Sequence, residues 1–245
     1  MSFETSVGTS DADSITVMGR DLSSELLGKV TFTELAFLLV QRRMPSPEET
    51  RLFDAVLISL ADHGLTPTVL AARLTHTGAP EALQGAVAAG LLGAGSIFLG
   101  VVEDTVRFLD AIGEDVEAGV ARELEAGRRI PGLGHPVHKV QDPRTPVLIE
   151  IADEEGLRGP HLRLFEAIGR VHEQVLGRRL PLNGAGVCGA ALADLGLPVE
   201  LLRGFALLAR AAGLLGQLAE ERRRPIGMDA YLTVDRNAVY VDPAS

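Results

Sequence analysis

His135 and His138 stand three residues apart in the stretch IPGLGHPVHKVQDPR, Ile130 to Arg144. Pro131, Gly132, Gly134 and Pro136 rule out a regular helix there. An imidazole held in such a loop can donate a hydrogen bond to a carbonyl oxygen that gathers negative charge. Lys139 and Arg144 follow closely, and Arg128 and Arg129 lie just upstream. An acidic chain that concentrates cations in one irregular loop is expected to bind an anion at that loop. Two blander readings stay open: a plain connector between helices, and Arg144 pairing with Asp142 or Glu150. A metal reading of the two histidines is poor, because Pro136 breaks the helical spacing and no carboxylate or cysteine companion is evident.

Other polar groups qualify less clearly. His63 ends a helix, where an imidazole usually interacts with the helix dipole. His76, His161 and His172 read as helix-surface residues. Arg210 interrupts the apolar run GFALLARAAGLLGQLAE, and a cation on such a face needs a partner, either protein or ligand. Arg222, Arg223 and Arg224 precede Pro225, as a cationic helix end would.

Helices must position these groups. The chain has 245 residues, 46% hydrophobic but only 4% aromatic, so its core is Leu, Ala, Val and Ile. That composition favours helices. Thr31 with Glu34 and Ser46 with Glu49 spell two capping boxes, and Pro47 suits a first turn. Pro45 is expected to end the first of these helices and His63-Gly64 the second. Further helices are predicted over 66–78, within 79–100, and near 101–112, 114–127, 145–156, 160–177, 184–195 and 198–222. The Gly- and Ala-rich stretch from 79 to 100 predicts a neighbouring backbone packed close. Strand signal is confined to the ends, and YLTVDRNAVYVDP predicts a short C-terminal β-hairpin. The class is all-α.

Net charge is −10, which argues against nucleic acid or an anionic membrane as partner. The single cysteine, Cys188, excludes an internal disulfide and a cysteine-based metal cluster. A reducing, cytoplasmic setting is expected. No apolar run reaches the roughly 18 residues of a membrane span, and the polar, acidic N-terminus is unlike a signal peptide.

The motif PGLGHPVHKVQDPR resembles the signature of the citrate synthase family: glycines and a histidine, a short basic stretch, then Asp-Pro-Arg. In the same order, the N-terminal TSDADSITVMGRDLSSELLGKVTFTELAFLLVQRRMPSPEE, then LADHGLTPTVLAAR and LLARAAGLLGQLAEERRRP, are similar to other segments of that family. The likeness covers nearly the whole chain. The short length, GLLGAGSIFLG and LNGAGVCGAALADLGLP resemble the citryl-CoA lyase branch, which includes the C-terminal module of ATP citrate lyase.

The resemblance implies an all-helical fold with a large domain, residues 1–105 plus 190–245, and a small one, 106–189. It implies a homodimer or higher homo-oligomer acting on an acyl-CoA and an oxo acid or dicarboxylate, with no metal. His135 would bond the oxo-acid carbonyl or the hydroxyl of the condensed acid. His63, Arg144 and Arg210 would bind carboxylates, and Arg224 would reach the partner subunit's site. Gly132, Leu133, Gly134, Val137, His138 and Lys139 would hold coenzyme A. The implied reaction is cleavage of a 3-hydroxyacyl-CoA such as citryl-CoA to acetyl-CoA and an oxo acid such as oxaloacetate. A non-catalytic acyl-CoA or dicarboxylate binder on the same scaffold is the alternative. One departure matters. Where the family carries an aspartate as acid/base, the matching segment Leu182-Asn183-Gly184-Ala185-Gly186 places Ala185, and Asp194 lies too far along the helix to replace it. The enolate-stabilising histidine of the synthases is also missing, with Phe98 or Gly93 in its place, as in the lyase branch.

Overall fold

Two helices begin where their capping boxes place them. Thr31 accepts from the Glu34 amide and Glu34 reaches back to Thr31, opening α1 (Phe32–Gln41). Ser46 and Glu49 do the same for α2 (Pro47–Ala61), with Pro47 in its first turn. Each box satisfies donors that a helix start leaves unpaired. α1 stops short of Pro45 because Arg42 turns left-handed, with φ of 60°.

A computed structural model describes residues 2–113 and 115–243. After α2 come α3 (Pro67–Gly78), α4 (Leu83–Leu92), a π-helical turn Gly95–Leu99, α5 (Val101–Ile112) and α6 (Val116–Glu125). Glu114, the expected first residue of α6, lies outside the described residues. Then follow α7 (Arg144–Glu154), α8 (Pro160–Leu176), α9 (Gly184–Asp194), α10 (Leu202–Arg223) and α11 (Gly227–Asn237). The fold is all-α, with one small sheet at the N-terminus.

That sheet is antiparallel, in the order β1 (Gly8–Ser10), β2 (Ile15–Val17), β3 (Arg20–Asp21). Val17 pairs with Arg20 across Met18-Gly19, both at positive φ, the geometry of a two-residue hairpin turn. The expected C-terminal hairpin does not form. Residues 227–237 are α11, because the buried Glu221 carboxylate accepts from the amides of Ile226 and Gly227 and so satisfies the start of a helix.

The main core runs through α2, α5, α8, α9 and α10. Phe53 takes Phe37 and Phe205 edge-on, with ring centroids 5.7 and 5.2 Å away. α9 is the central rod, buried from Gly186 to Leu192. The Gly- and Ala-rich helix α4 lies with its backbone close along α3, as its small residues predict, and Gly90 meets Ala72 of α3 and Leu214 of α10. The tightest approach of a helix to another backbone near the histidines lies elsewhere: a Cβ at Gly213 of α10 would land on the carbonyl oxygen of Ala61. That approach sets α10 directly against the end of α2. Among the described residues, no helix is long and apolar enough to cross a membrane.

Candidate active site

The loop from Ala126 to Pro143 is stitched to the start of α9. Leu133 forms a β-bridge with Leu182. The Asn183 amide donates to Gly132 O and the Gly134 amide to Pro181 O, both at 2.8 Å. The Asn183 side chain works in both directions: its Nδ2 donates to Gly134 O, and its Oδ1 accepts from Gly186 N as the cap of α9. Gly132 has φ of 84°, and a Cβ there would sit 2.5 Å from the Phe165 ring. Only glycine meets both demands.

This loop presents His135. Its Nδ1 accepts from the amides of Val137 (3.1 Å) and His138 (3.0 Å). A neutral ring accepting at Nδ1 carries its proton on Nε2. Burial pushes the imidazole down to about 4, so the ring is neutral near pH 7 and offers an N–H outward. Lys139 Nζ folds back to donate to His135 O.

His63 arrives from the end of α2. Asp62 holds that turn, accepting from Gly64 N and from Gln217 Nε2 of α10, both at 2.9 Å. The centroid of the His63 ring lies 5.0 Å from that of His135 and 5.5 Å from that of His138. His135 and His138 stack at 4.4 Å.

Arg144 opens α7, and the pairing left open in the sequence is made with Asp142. Arg144 Nε and Nη2 meet the two Asp142 oxygens at 3.0 and 2.8 Å. Asp142 is fully buried and also accepts from the amides of Arg144 and Gly184. Burial opposes its charge, but the Arg144 guanidinium and the Gly184 amide hold it well below the usual carboxylate range. Arg144 Nη1 donates to Ser59 O. Burial, then the Arg144 charge, lower His63, which puts this guanidinium beside the imidazoles.

Arg210 differs from Arg144. It is 5% exposed, its Nε is buried without a partner, and its best contact is Thr68 Oγ1 at 3.5 Å. Burial lowers its hold on its proton, Asp62 opposes that, and Arg144 adds to it. Among the described residues it makes no ion pair. Thus His63, His135 and His138, scattered over the chain, cluster with Arg144 beside them, and Arg210 lies within electrostatic reach of Arg144 and of Asp62 at the His63 turn. Arg224 does not join them: its side chain is 86% exposed at the end of α10, against Glu220. Gly132, Leu133, Gly134, Val137 and Lys139 line the loop itself, and Val137 is open to solvent.

The three imidazoles offer ring nitrogens all within 4.8 Å of one another, a spacing a transition-metal ion could span. His63 is the companion that the His135–His138 pair lacks in sequence. The fit is incomplete, because the His135 Nδ1 lone pair already serves two amides and its Nε2 bears hydrogen.

Sequence reasoning misses several positioning groups. Asn183, Asp62, Gln217 and Thr68 act across long chain separations, and only the cap position of Asn183 has a local signal. Arg178 and Arg179 are exposed just before the segment bridged to the loop. Of the remaining histidines, His76 and His172 are buried rather than on the surface, and His161 is a quarter exposed. His172 is buried, with Nδ1 3.1 Å from Ile168 O and Nε2 accepting from Leu180 N. His161 sits between Asp194 and Asp110, and His76 is buried with Nδ1 unpartnered. The helices of His76 and His172 are covered on the faces that carry them.

Residues 36–227 match the family described as citrate synthase, C-terminal domain. Citrate synthase of Deinococcus radiodurans is 31% identical over 81% of this chain and 55% of its own. The chain thus spans about half the length of the curated relatives it matches. Citryl-CoA lyase from Hydrogenobacter thermophilus superposes with a TM-score of 0.89 at 30% identity, over 98% of this chain and 94% of that one. ATP citrate lyase from Methanothrix soehngenii, solved with citrate and coenzyme A, gives 0.84 at 23% identity over 99% of this chain and 42% of that one, which speaks to the fold alone.

Proposed function

The chain belongs to the citrate synthase family, and from that premise we propose that it is a coenzyme A-dependent carbon–carbon lyase of the citryl-CoA lyase type. It cleaves a 3-hydroxyacyl-CoA such as citryl-CoA to acetyl-CoA and an oxo acid such as oxaloacetate. The observation that carries this reading is Arg210, a buried guanidinium that makes no ion pair among the described residues and lies within electrostatic reach of Arg144, whose other neighbours include the neutral N–H donor His135. A dicarboxylate completes such a site, because planar guanidinium groups grip carboxylates in two bonds. His135 Nε2–H then faces the hydroxyl that becomes a carbonyl, and His63 and the outer edge of Arg144 take the second carboxylate. Cleavage leaves an enolate, which fixed donors stabilise best when water is excluded.

Coenzyme A is assigned to the loop: the backbone of Gly132, Leu133, Gly134, Val137 and His138, with the Lys139 amine and the exposed Arg178 and Arg179 for phosphate groups. The division into residues 1–105 with 190–245 and residues 106–189 belongs to this proposal, since His63 and Arg210 fall in one part and His135 and Arg144 in the other. So does a homodimer. α4 is apolar but for Gln84, yet Leu83 and Leu92, with Ile97 just beyond, stand exposed, and a helix of that kind is normally covered. Arg224, outside the cluster, is assigned to the partner subunit's site. A cytoplasmic setting is part of the same reading.

Ala185 favours a second reading. It lies in the first turn of α9 next to Gly184, which abuts Arg144, and it brings no carboxylate. A binding protein would keep the cations and lose turnover. Purified protein mixed with citryl-CoA separates the two: acetyl-CoA release supports the lyase, and a thermal shift with citryl-CoA but no release supports the binder.

A further inference from the structure

Three imidazoles share the site, and they are not equivalent. His135 has one nitrogen occupied by two amides and the other carrying hydrogen, so it can only donate. His63 is half buried beside Arg144, and both burial and that charge disfavour a proton on its ring. His138 packs against both rings, and neither of its ring nitrogens has a hydrogen-bond partner among the described residues. The carboxylates nearby are committed. Asp142 holds Arg144 and two amides, and Asp62 holds Gln217 and the Gly64 amide. Ala185 has no carboxylate to give.

Building on the lyase reading above, we infer that His138 is the acid/base of the reaction, doing the work for which position 185 supplies no side chain. In cleavage, a His138 ring nitrogen accepts the proton of the C3 hydroxyl. The O–H electron pair becomes the π bond of the new carbonyl, and the C2–C3 bond breaks. Its electron pair passes into the thioester as an enolate. The His138 imidazolium returns the same proton to C2, completing the acetyl thioester. Atoms and charge balance with no outside reagent. His135 keeps its hydrogen throughout, donating first to the hydroxyl and then to the carbonyl oxygen. The groups facing His138 are His135 from its own loop and His63 from the end of α2. Behind them stand the Arg144–Asp142 pair, and the Lys139 amine lies one residue away on the His135 carbonyl.

The test compares the wild type with His138→Gln, which keeps a polar side chain but cannot take a proton, and with His138→Gln combined with Ala185→Asp. With citryl-CoA, His138→Gln is expected to lower kcat about 100-fold or more while KM changes little. Ala185→Asp in the variant background should restore turnover, which a merely structural loss at position 138 would not allow. A His138→Gln protein that unfolds at the wild-type temperature and keeps the wild-type kcat overturns the assignment. The lyase reading can fail separately, if the wild type releases no acetyl-CoA. The same proteins are then compared for exchange of acetyl-CoA methyl hydrogens with deuterated water in the presence of oxaloacetate. Exchange that His138→Gln abolishes supports the assignment; equal exchange in both, or none in either, overturns it.

Discussion

A guanidinium shut away from water without a counter-charge costs folding free energy, whatever it does for function. Arg210 is close to that state: its Nε is orphaned, its hydrogen bond is the long one to Thr68, and Asp62 acts on it from a distance without forming an ion pair. Replacing it by a methionine of similar length removes the cost and keeps most of the packing. Arg210→Met is therefore expected to raise the melting temperature of the ligand-free protein by about 2–4 °C, the shift that roughly 1 kcal/mol produces at this size. The same change should abolish the further rise that citrate or oxaloacetate gives the wild type. A variant that melts lower and still responds to the acids would mean that Arg210 is structural. Arg210 is legible in the sequence because a cation interrupts an apolar run. The choice of Asp142 over Glu150 by Arg144 is not, because the Gly184 amide that helps fix Asp142 comes from 42 residues further on.

At the scale of elements, Asn183 performs two tasks that mutation can separate. As the cap of α9 it accepts from Gly186, and as a clamp it donates to Gly134 O in the histidine loop. Asn183→Ala loses both and should cost at least about 1 kcal/mol in urea unfolding. Asn183→Asp keeps the acceptor and loses the donor, so stability should stay close to wild type while the loop loosens and acyl-CoA binding weakens. His161 ties α8 to α5 and α9 through Asp110 and Asp194. The Asp194 bond raises this imidazole, burial pulls against it, and Asp110 adds to the rise. A raised folded-state pKa stabilises fully below the unfolded value near 6.5 and less as pH climbs through the folded one. The wild type should thus out-melt His161→Gln most clearly at pH 6, and the gap should narrow toward pH 9. A gap that widens with pH would exclude a charged His161. Helix starts are legible because caps are local chemistry. The C-terminal hairpin is misread because alternation in residues 231–241 is also local, whereas Glu221, which starts α11, acts from the preceding helix.

For the molecule as a whole, the decisive event is the meeting of α10 with the end of α2, which brings Arg210 and Gln217 to His63. Periodicity in either helix predicts an apolar face but not which partner that face finds, so family likeness rather than pattern is what points to the convergence in sequence. The junction depends on Gly213, whose missing side chain makes room for the Ala61 carbonyl. The same helix supplies its own controls. Gly204 and Gly216 are exposed, and a Cβ at either meets nothing within 4 Å. In a helix interior, Gly→Ala gains about 0.5–1 kcal/mol by restricting the unfolded chain. Gly204→Ala and Gly216→Ala should therefore stabilise by about that amount and leave ligand binding alone. Gly213→Ala earns the same propensity but drives a methyl group into backbone, and overpacking of that kind costs about 1–3 kcal/mol. The net sign should reverse, and because α10 must shift, Gln217 and Arg210 move away from the His63 turn. Urea melts of the three variants would read the sign, and thermal shift with oxaloacetate would read the displacement. If Gly213→Ala were as stable as its two neighbours and bound the acid equally well, the seating of α10 on Ala61 would not be what assembles the site.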